Sequence, residues 1–242
     1  MTHYILLSIL ALSSVGSAYG SLVLLGPAPE GGTGLGAVNT VLTLQSPGNS
    51  LVESGCTALS GGSAVAGTNC GFNDSNVKEG NGQIGAPSLA TIGTTSASDL
   101  RIVFNAAQPG NTTAITINEL ALYFFGTGDT TSTSFTLAAP VTLSSMFLGV
   151  GQSGYLFGLD AQQSLVAQSF IDANGGGAVR IGLGSSIGCP NNDCTGGQFP
   201  ATGGLDTFSA GAAVPTAVPE PASLLLMAAA LPAFAILRKR LS

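Results

Sequence analysis

Residues Ala114 to Phe125 read AITINELALYFF, and their phase decides the fold. The apolar side chains stand at the odd positions Ile115 and Ile117, then at the even positions Leu120, Leu122 and Phe124. A repeat of two is that of a half-buried strand; a helix repeats every three or four residues. The phase flips at Asn118-Glu119, as it does when a β-bulge inserts one extra residue. Outward from this stretch the same period recurs. Val38–Gln45 (VNTVLTLQ) and Leu100–Asn105 (LRIVFN) are β-rich runs bounded by Gly, Pro, Ser and Asn. Further strands are expected at Ser134–Leu137, Thr142–Leu148, Tyr155–Leu159, Val179–Leu183 and Asp206–Ser209. Gly31–Gly36, Gly61–Gly67 and Gly175–Gly177 read as turn-rich connections.

One short helix is expected over Ala161–Ile171. Asp160 stands where an N-cap belongs and Gln163 lies three residues on, with Leu165, Val166 and Phe170 supplying an apolar side. Asn174-Gly175 ends it with residues that accept a left-handed backbone. Many short strands and one helix define an all-β class, and the expected architecture is a β-sandwich of jelly-roll type. No repeat of fixed period is present.

The charge pattern narrows the function. Once Glu220 and the three terminal cations are set aside, eleven acids face only Lys78, Arg101 and Arg180. Phosphate binding needs clustered cations, so nucleic acid is excluded as a partner. The polar surface is left to Ser, Thr, Asn, Gln and Gly, a composition suited to a domain outside the cell. His3 is the only histidine, and there is no tryptophan. His3 leaves with the expected signal peptide, so Ser-His-Asp and Cys-His nucleophiles and His-ligated metals have no histidine to build on in the exported domain.

Four cysteines form two local pairs, Cys56 with Cys70 and Cys189 with Cys194 (CPNNDC). Proximity favours these two links among the three possible connectivities. In an oxidising compartment disulfides are the default. A metal site using all four thiolates is the competing reading.

Both ends of the chain carry export signals. Ile5–Val15 (ILLSILALSSV) is an apolar core too short to anchor stably, and small residues suited to signal-peptidase cleavage follow it, after Ala18 or Gly20. At the other end Val218-Pro219-Glu220-Pro221 precedes an apolar run from Ala222 to Leu237, and Arg238-Lys239-Arg240 closes it. As a helix that run spans roughly 24 Å against a hydrocarbon core of ~30 Å, and snorkelling cations can make up the difference. The cations hold their end in the cytoplasm. The two prolines keep the Glu220 segment extended. A plain C-terminal anchor is one reading of this segment. The tripartite order, however, resembles the PEP-CTERM sorting signal of Gram-negative bacteria.

That resemblance implies that Pro219, Glu220 and Pro221 are the box read by the membrane transpeptidase exosortase, and that Arg238, Lys239 and Arg240 are the retention signal. It implies residence in an envelope and extracellular matrix system, with the inner membrane as a transient partner and exopolysaccharide as a neighbour. The expected organisation is a signal peptide at 1–20, an exported domain at 21–209, a small-residue linker at 210–217 and the sorting segment at 218–242.

Three candidate sites lie inside the domain. Asn73, Asp74, Ser75, Asn76, Glu79 and Asn81 offer oxygen ligands of the kind Ca²⁺ takes, although a solvated loop just after Cys70 is the favoured reading. Asp172-Ala173-Asn174-Gly175 opens like a calcium loop, but Gly176 and Leu183 break the pattern, so it reads as a turn with no metal bound. Glu119 with Asp129, or Glu53 with Asp74, are the carboxylate pairs a glycosidase would need, with no spacing to single them out. Thr130–Thr136 is rich enough in hydroxyls to be glycosylated, and also fits a strand edge. The expected function is non-enzymatic, without cofactor: a surface-sorted structural or adhesive protein. The alternative is a glycan- or calcium-binding module, for which Tyr123 and Tyr155 are the aromatic candidates, and a secreted hydrolase ranks third.

Overall fold

The computed structural model describes residues 21–28, 39–46, 50–67, 70–72, 76–80, 82–107, 114–129, 131–144, 153–202 and 204–213. The signal peptide, the sorting segment and linker residues 214–217 lie outside the described residues.

Eleven strands form two antiparallel sheets stacked as a sandwich. They are β1 (Leu22–Pro27), β2 (Asn39–Leu44), β3 (Val52–Ser60), β4 (Ser63–Ala66), β5 (Leu100–Ala106), β6 (Ala114–Phe125), β7 (Ser132–Thr136), β8 (Val141–Ser144), β9 (Ser153–Leu159), β10 (Arg180–Gly188) and β11 (Asp206–Ala212). One sheet has the order β1-β9-β5-β11-β2, and the other runs β4-β3-β10-β6 with β7 and β8 sharing the far edge of β6. The all-β expectation holds. The pairing is nested, β2 with β11, β3 with β10, β5 with β9 and β6 with β7.

The bulge expected in β6 is present. Ser186 of β10 faces Glu119 while Ile187 faces Ile117, so Asn118 is the extra residue. Its side chain donates to the Gly188 carbonyl at 2.8 Å. The flip keeps Ile115, Ile117, Leu120, Leu122 and Phe124 all on the buried face. At the same level the partner strand breaks between β7 and β8, and Leu137, whose amide donates to Leu120 O at 2.8 Å, also bridges Leu22 of the other sheet. Bulge and break together bring the two sheets into contact along one side.

On the opposite side Asn76–Lys78 lies along β2. Gln45 donates to the Asn76 carbonyl at 2.9 Å and Lys78 to that of Thr43 at 2.9 Å. The Asn76 side-chain oxygen accepts from the Ser54 amide of β3 at 3.0 Å. One residue thus ties the edges of both sheets, which would otherwise present unpaired backbone groups. Between the sheets the core is aromatic at its centre: Phe104 and Phe208 pack with ring centroids 4.6 Å apart, and Phe124 meets Phe135 edge-on at 5.8 Å.

The helix is α2 (Ala161–Ala173), preceded in the chain by a one-turn helix α1 (Leu89–Ile92) that corrects the expectation of a single helix. Ser88 caps α1 and Gly93 ends it in the left-handed region. Asp160 caps α2 as expected, accepting from the Gln163 amide at 2.7 Å. The apolar side is a second correction. Gln163, Ser164, Ala167 and Ile171 are the buried residues, whereas Leu165 is 72% and Val166 52% exposed. Phe170 does pack against the core. Small Ser164 and Ala167 let the helix backbone sit close to the sandwich, and Gln168 anchors it by accepting from the Ala97 amide at 2.9 Å.

Asn174 does not turn left-handed; Gly175 does, at φ 115°. Asn174 instead locks the helix end to the β6–β7 turn, donating to Phe170 O and accepting from the Thr131 hydroxyl, each at 2.8 Å. Three further boundaries are corrected. The turn-rich Gly61–Gly67 contains β4, β10 extends to Gly188, and β11 continues through Ala210–Ala212 where the linker was expected. The small residues there are accommodated because β11 is flanked on both sides, Ala210 facing Ile102 and Asn39. Strands β1 and β3 were not expected. Residues 145–148 of the expected Thr142–Leu148 strand lie outside the described residues.

Candidate functional site

The outer face of the six-stranded sheet brings together aromatic rings and a row of exposed hydroxyls. Along β6 the residues opposite the core are Ala121, Tyr123 and Phe125, and β7 places Thr136, Ser134 and Ser132 directly across from them. The three hydroxyl residues are exposed, and Tyr123 and Phe125 are half-buried. At about 3.4 Å per residue the hydroxyl row extends roughly 14 Å. The Tyr123 and Phe125 rings stack with centroids 6.3 Å apart and planes 23° from parallel.

Beside this face β10 carries no side chain between Arg180, opposite Phe125, and Ser186, opposite Glu119. Gly182 faces Tyr123 and Gly184 faces Ala121. A Cβ on Gly182 would run into the Thr57 carbonyl and lie 2.9 Å from the Phe125 ring, and one on Gly184 would collide with Phe72. Glycine is required at both positions, by the neighbouring backbone carbonyl and the Phe125 ring at Gly182 and by the Phe72 ring at Gly184. Phe72 comes from the loop that follows Cys70. Cys56 and Cys70 are paired, with Cα atoms 6.6 Å apart, and the Tyr123 hydroxyl donates to the Cys70 carbonyl at 2.8 Å. Burial pushes the Tyr123 phenol above its ordinary pKa, and the negative charge of Glu119 adds to the effect.

The second pair, Cys189 with Cys194, closes a tight loop with Cα atoms 5.0 Å apart. Within it Asn192 accepts from the Leu51 amide at 2.8 Å, and Asp193 accepts from both the amide and the hydroxyl of Thr195. Those two bonds hold the Asp193 carboxyl below the usual range.

The remaining sequence candidates are dispersed. Tyr155 is buried in the core, where its hydroxyl has no hydrogen-bond partner among the described residues, so it offers no ring to a surface glycan. Burial raises its pKa. Glu53 is fully buried and accepts from the Ser46 amide and hydroxyl at 3.0 and 3.1 Å, a structural role. Its suggested partner Asp74 lies outside the described residues, as do Asn73, Ser75, Asn81 and Thr130. Asn76 of the calcium-loop candidate is engaged with Ser54. Glu119 lies opposite Ser186, and Phe125 stands six residues, about 20 Å, further along the strand. Asp129 lies beyond Phe125 in the turn, where it accepts from the Gly62 amide at 2.7 Å. These carboxylates do not converge. Among the described residues no group of three or more His, Cys, Asp or Glu gathers to hold a metal.

A separate open cleft of about 680 Å³ is lined by Asn39, Thr40, Ser88, Thr91 and Arg180 among others. Arg180 is committed to backbone carbonyls there, donating to Ala86 O at 2.8 Å and also to Gly62 O. It clamps loops.

Sequence reasoning missed the Phe72 contribution and the glycine floor, because neither follows a strand pattern. The row Ser132, Ser134, Thr136 was visible as a possible strand edge. No family model, curated protein or solved structure matches the chain.

Proposed function

We propose that this chain is an exported, non-enzymatic structural or adhesive protein of the cell envelope, built on a jelly-roll domain and sorted by its C-terminal segment. The observation that carries the reading is the order of that segment: a Pro219-Glu220-Pro221 box, an apolar run, and Arg238-Lys239-Arg240. The nested strand pairing supports the jelly-roll description. Two local cysteine pairs and a surface with three cations fit a domain working outside the cytoplasm. Exosortase is the processing partner in this reading, and the inner membrane a temporary one. The test is fractionation with intact-mass measurement in a host carrying exosortase. Glu220→Ala should leave the precursor anchored, and deletion of residues 238–242 should let the apolar run slip outward. Processing and release of both variants like wild type would refute the sorting role.

A second reading, glycan binding, is favoured by the outer face of β6 and β7. Flat, partly exposed rings offer stacking surface to the apolar side of a sugar, and the adjacent hydroxyls offer hydrogen bonds. With Glu119 at one end and Arg180, opposite Phe125 and bonded to the Ala86 and Gly62 carbonyls, at the other, the face has no excess of either charge and suits a neutral polysaccharide. Affinity electrophoresis through gels containing a neutral glucan or an alginate distinguishes the two cases. Retardation by the glucan, abolished in Ser134→Glu, supports the reading; mobility unchanged in both gels refutes it.

A further inference from the structure

We propose that signal peptidase cuts this chain between Gly20 and Ser21, and that the α-ammonium created at Ser21 is held by the carboxylate of Asp160. The proposal rests on the export reading and adds the site of the cut and the fate of the new terminus.

Two cleavage positions suit the sequence. A cut after Gly20 places Ala18 and Gly20 at the small-residue positions; one after Ala18 places Gly16 and Ala18 there. The fold distinguishes them. The Ser21 nitrogen lies 2.7 Å from Asp160 Oδ2, and the other oxygen of the same carboxylate accepts from the Gln163 amide at 2.7 Å as the cap of α2. The very next residue, Leu22, is 1% exposed and already paired with Leu159 in β1. Ser21 is therefore the last position at which the chain can begin without dismantling the first strand. It is also the position whose nitrogen meets a carboxylate.

The chemistry is a peptide-bond hydrolysis. Water's oxygen joins the Gly20 carbonyl carbon as the C–N bond breaks, its protons pass to the Ser21 nitrogen, and the products are a Gly20 carboxylate and a Ser21 ammonium. The amide has one N–H to give, whereas the ammonium has three and a full charge, so the 2.7 Å contact becomes a charge-assisted bond. The charge matters because the N-terminus of a helix carries a partial positive charge of its own and repels a cation. An aspartate between them offsets that repulsion. Asparagine would cap α2 comparably but could not hold the ammonium.

The experiment uses the full chain exported in a Gram-negative host. Mass spectrometry of the exported protein is expected to find Ser21 as its first residue. A first residue of Tyr19 overturns the inference and leaves export standing; retention of Met1 overturns the export reading itself. A second arm inserts one alanine between Gly20 and Ser21, so that the Ser21 nitrogen stays an amide, and combines this with Asp160→Asn. In the Ser21-start protein Asp160→Asn should raise the unfolding equilibrium constant several-fold more than in the alanine-extended protein. Equal effects in the two backgrounds would show that Asp160 serves only as a cap, and would overturn the pairing.

Discussion

The Tyr123 hydroxyl donates to the carbonyl of Cys70 at 2.8 Å, so that one side chain of β6 fastens the disulfide loop to the outer face of its sheet. Removing the donor with Tyr123→Phe leaves that carbonyl without its partner and should cost about 1 kcal/mol. For a domain of this size that is a fall in Tm of roughly 2–4 °C. The pH dependence has a definite sign. The folded-state pKa of Tyr123 is raised, so the native state keeps the proton longer than the unfolded chain does. The associated stability is present below the unfolded value near 10 and is lost as pH rises through the folded one. Thermal melts between pH 8 and 11 should show a smaller alkaline loss in Tyr123→Phe than in wild type.

Two glycines should respond oppositely to alanine. Gly184→Ala pushes a methyl group into the Phe72 ring and should destabilise by about 1–3 kcal/mol. Gly211 in β11 has no atom within 4 Å of a Cβ, and its φ is not in the left-handed range. Gly211→Ala should stabilise by a few tenths of a kcal/mol through the unfolded chain. Denaturant unfolding of both variants measures the contrast.

How far this was legible depends on which face of a strand carried the information. The bulge at Asn118 could be read because apolar residues on one face changed phase. The α2 cap could be read because Asp160 and Gln163 sit at a fixed offset. Strand β3 could not. Glu53 is buried and bonded to Ser46, Gly55 has Val77 packed over it, and Thr57 is buried with its hydroxyl on the Val41 carbonyl, so the alternation expected of apolar residues is missing. The second half of β10 was obscured for a related reason, since Gly184, Ser186 and Gly188 read as turn residues. The outer aromatic face includes Phe72, whose loop is held by the Cys56–Cys70 pairing and by the Tyr123 hydroxyl. Its neighbours in sequence read as cation ligands instead.

The two cysteine pairs should differ in worth. Cys56 and Cys70 are separated by 14 residues, and Cys189 and Cys194 by 5. In the chain-entropy model the longer closure contributes about 3 kcal/mol and the shorter about 2 kcal/mol. Cys56→Ala/Cys70→Ala should therefore lower stability more than Cys189→Ala/Cys194→Ala. It should also free Phe72 from Gly184, visible as faster proteolysis within residues 67–80. Equal losses, with no change in cleavage there, would contradict the anchoring role of the longer pair.

Helix α2 supplies the last contrast. Leu165 and Val166 face outward beside Gln162, Ser169 and Asp172, while Gln163 and Ser164 are buried with Ala167 and Ile171, a departure from an ordinary amphipathic pattern. Leu165→Ser and Val166→Ser should change stability by less than about 0.5 kcal/mol, because both side chains are already in solvent. Ile171→Ala empties a fully buried site and should cost about 2–5 kcal/mol. Ala167→Leu should be comparably damaging for the opposite reason. Ala167 is fully buried, and three added carbons have nowhere to go unless the helix lifts from the sandwich. Lifting would strain the bonds that Gln168 makes to Ala97 and Thr95. Hydrogen exchange at the Ala97 amide reports that movement directly. Fast exchange in Ala167→Leu and wild-type protection in Leu165→Ser is the expected outcome. If Leu165→Ser were instead the more damaging change, the helix would be packed through the face its apolar residues first indicated.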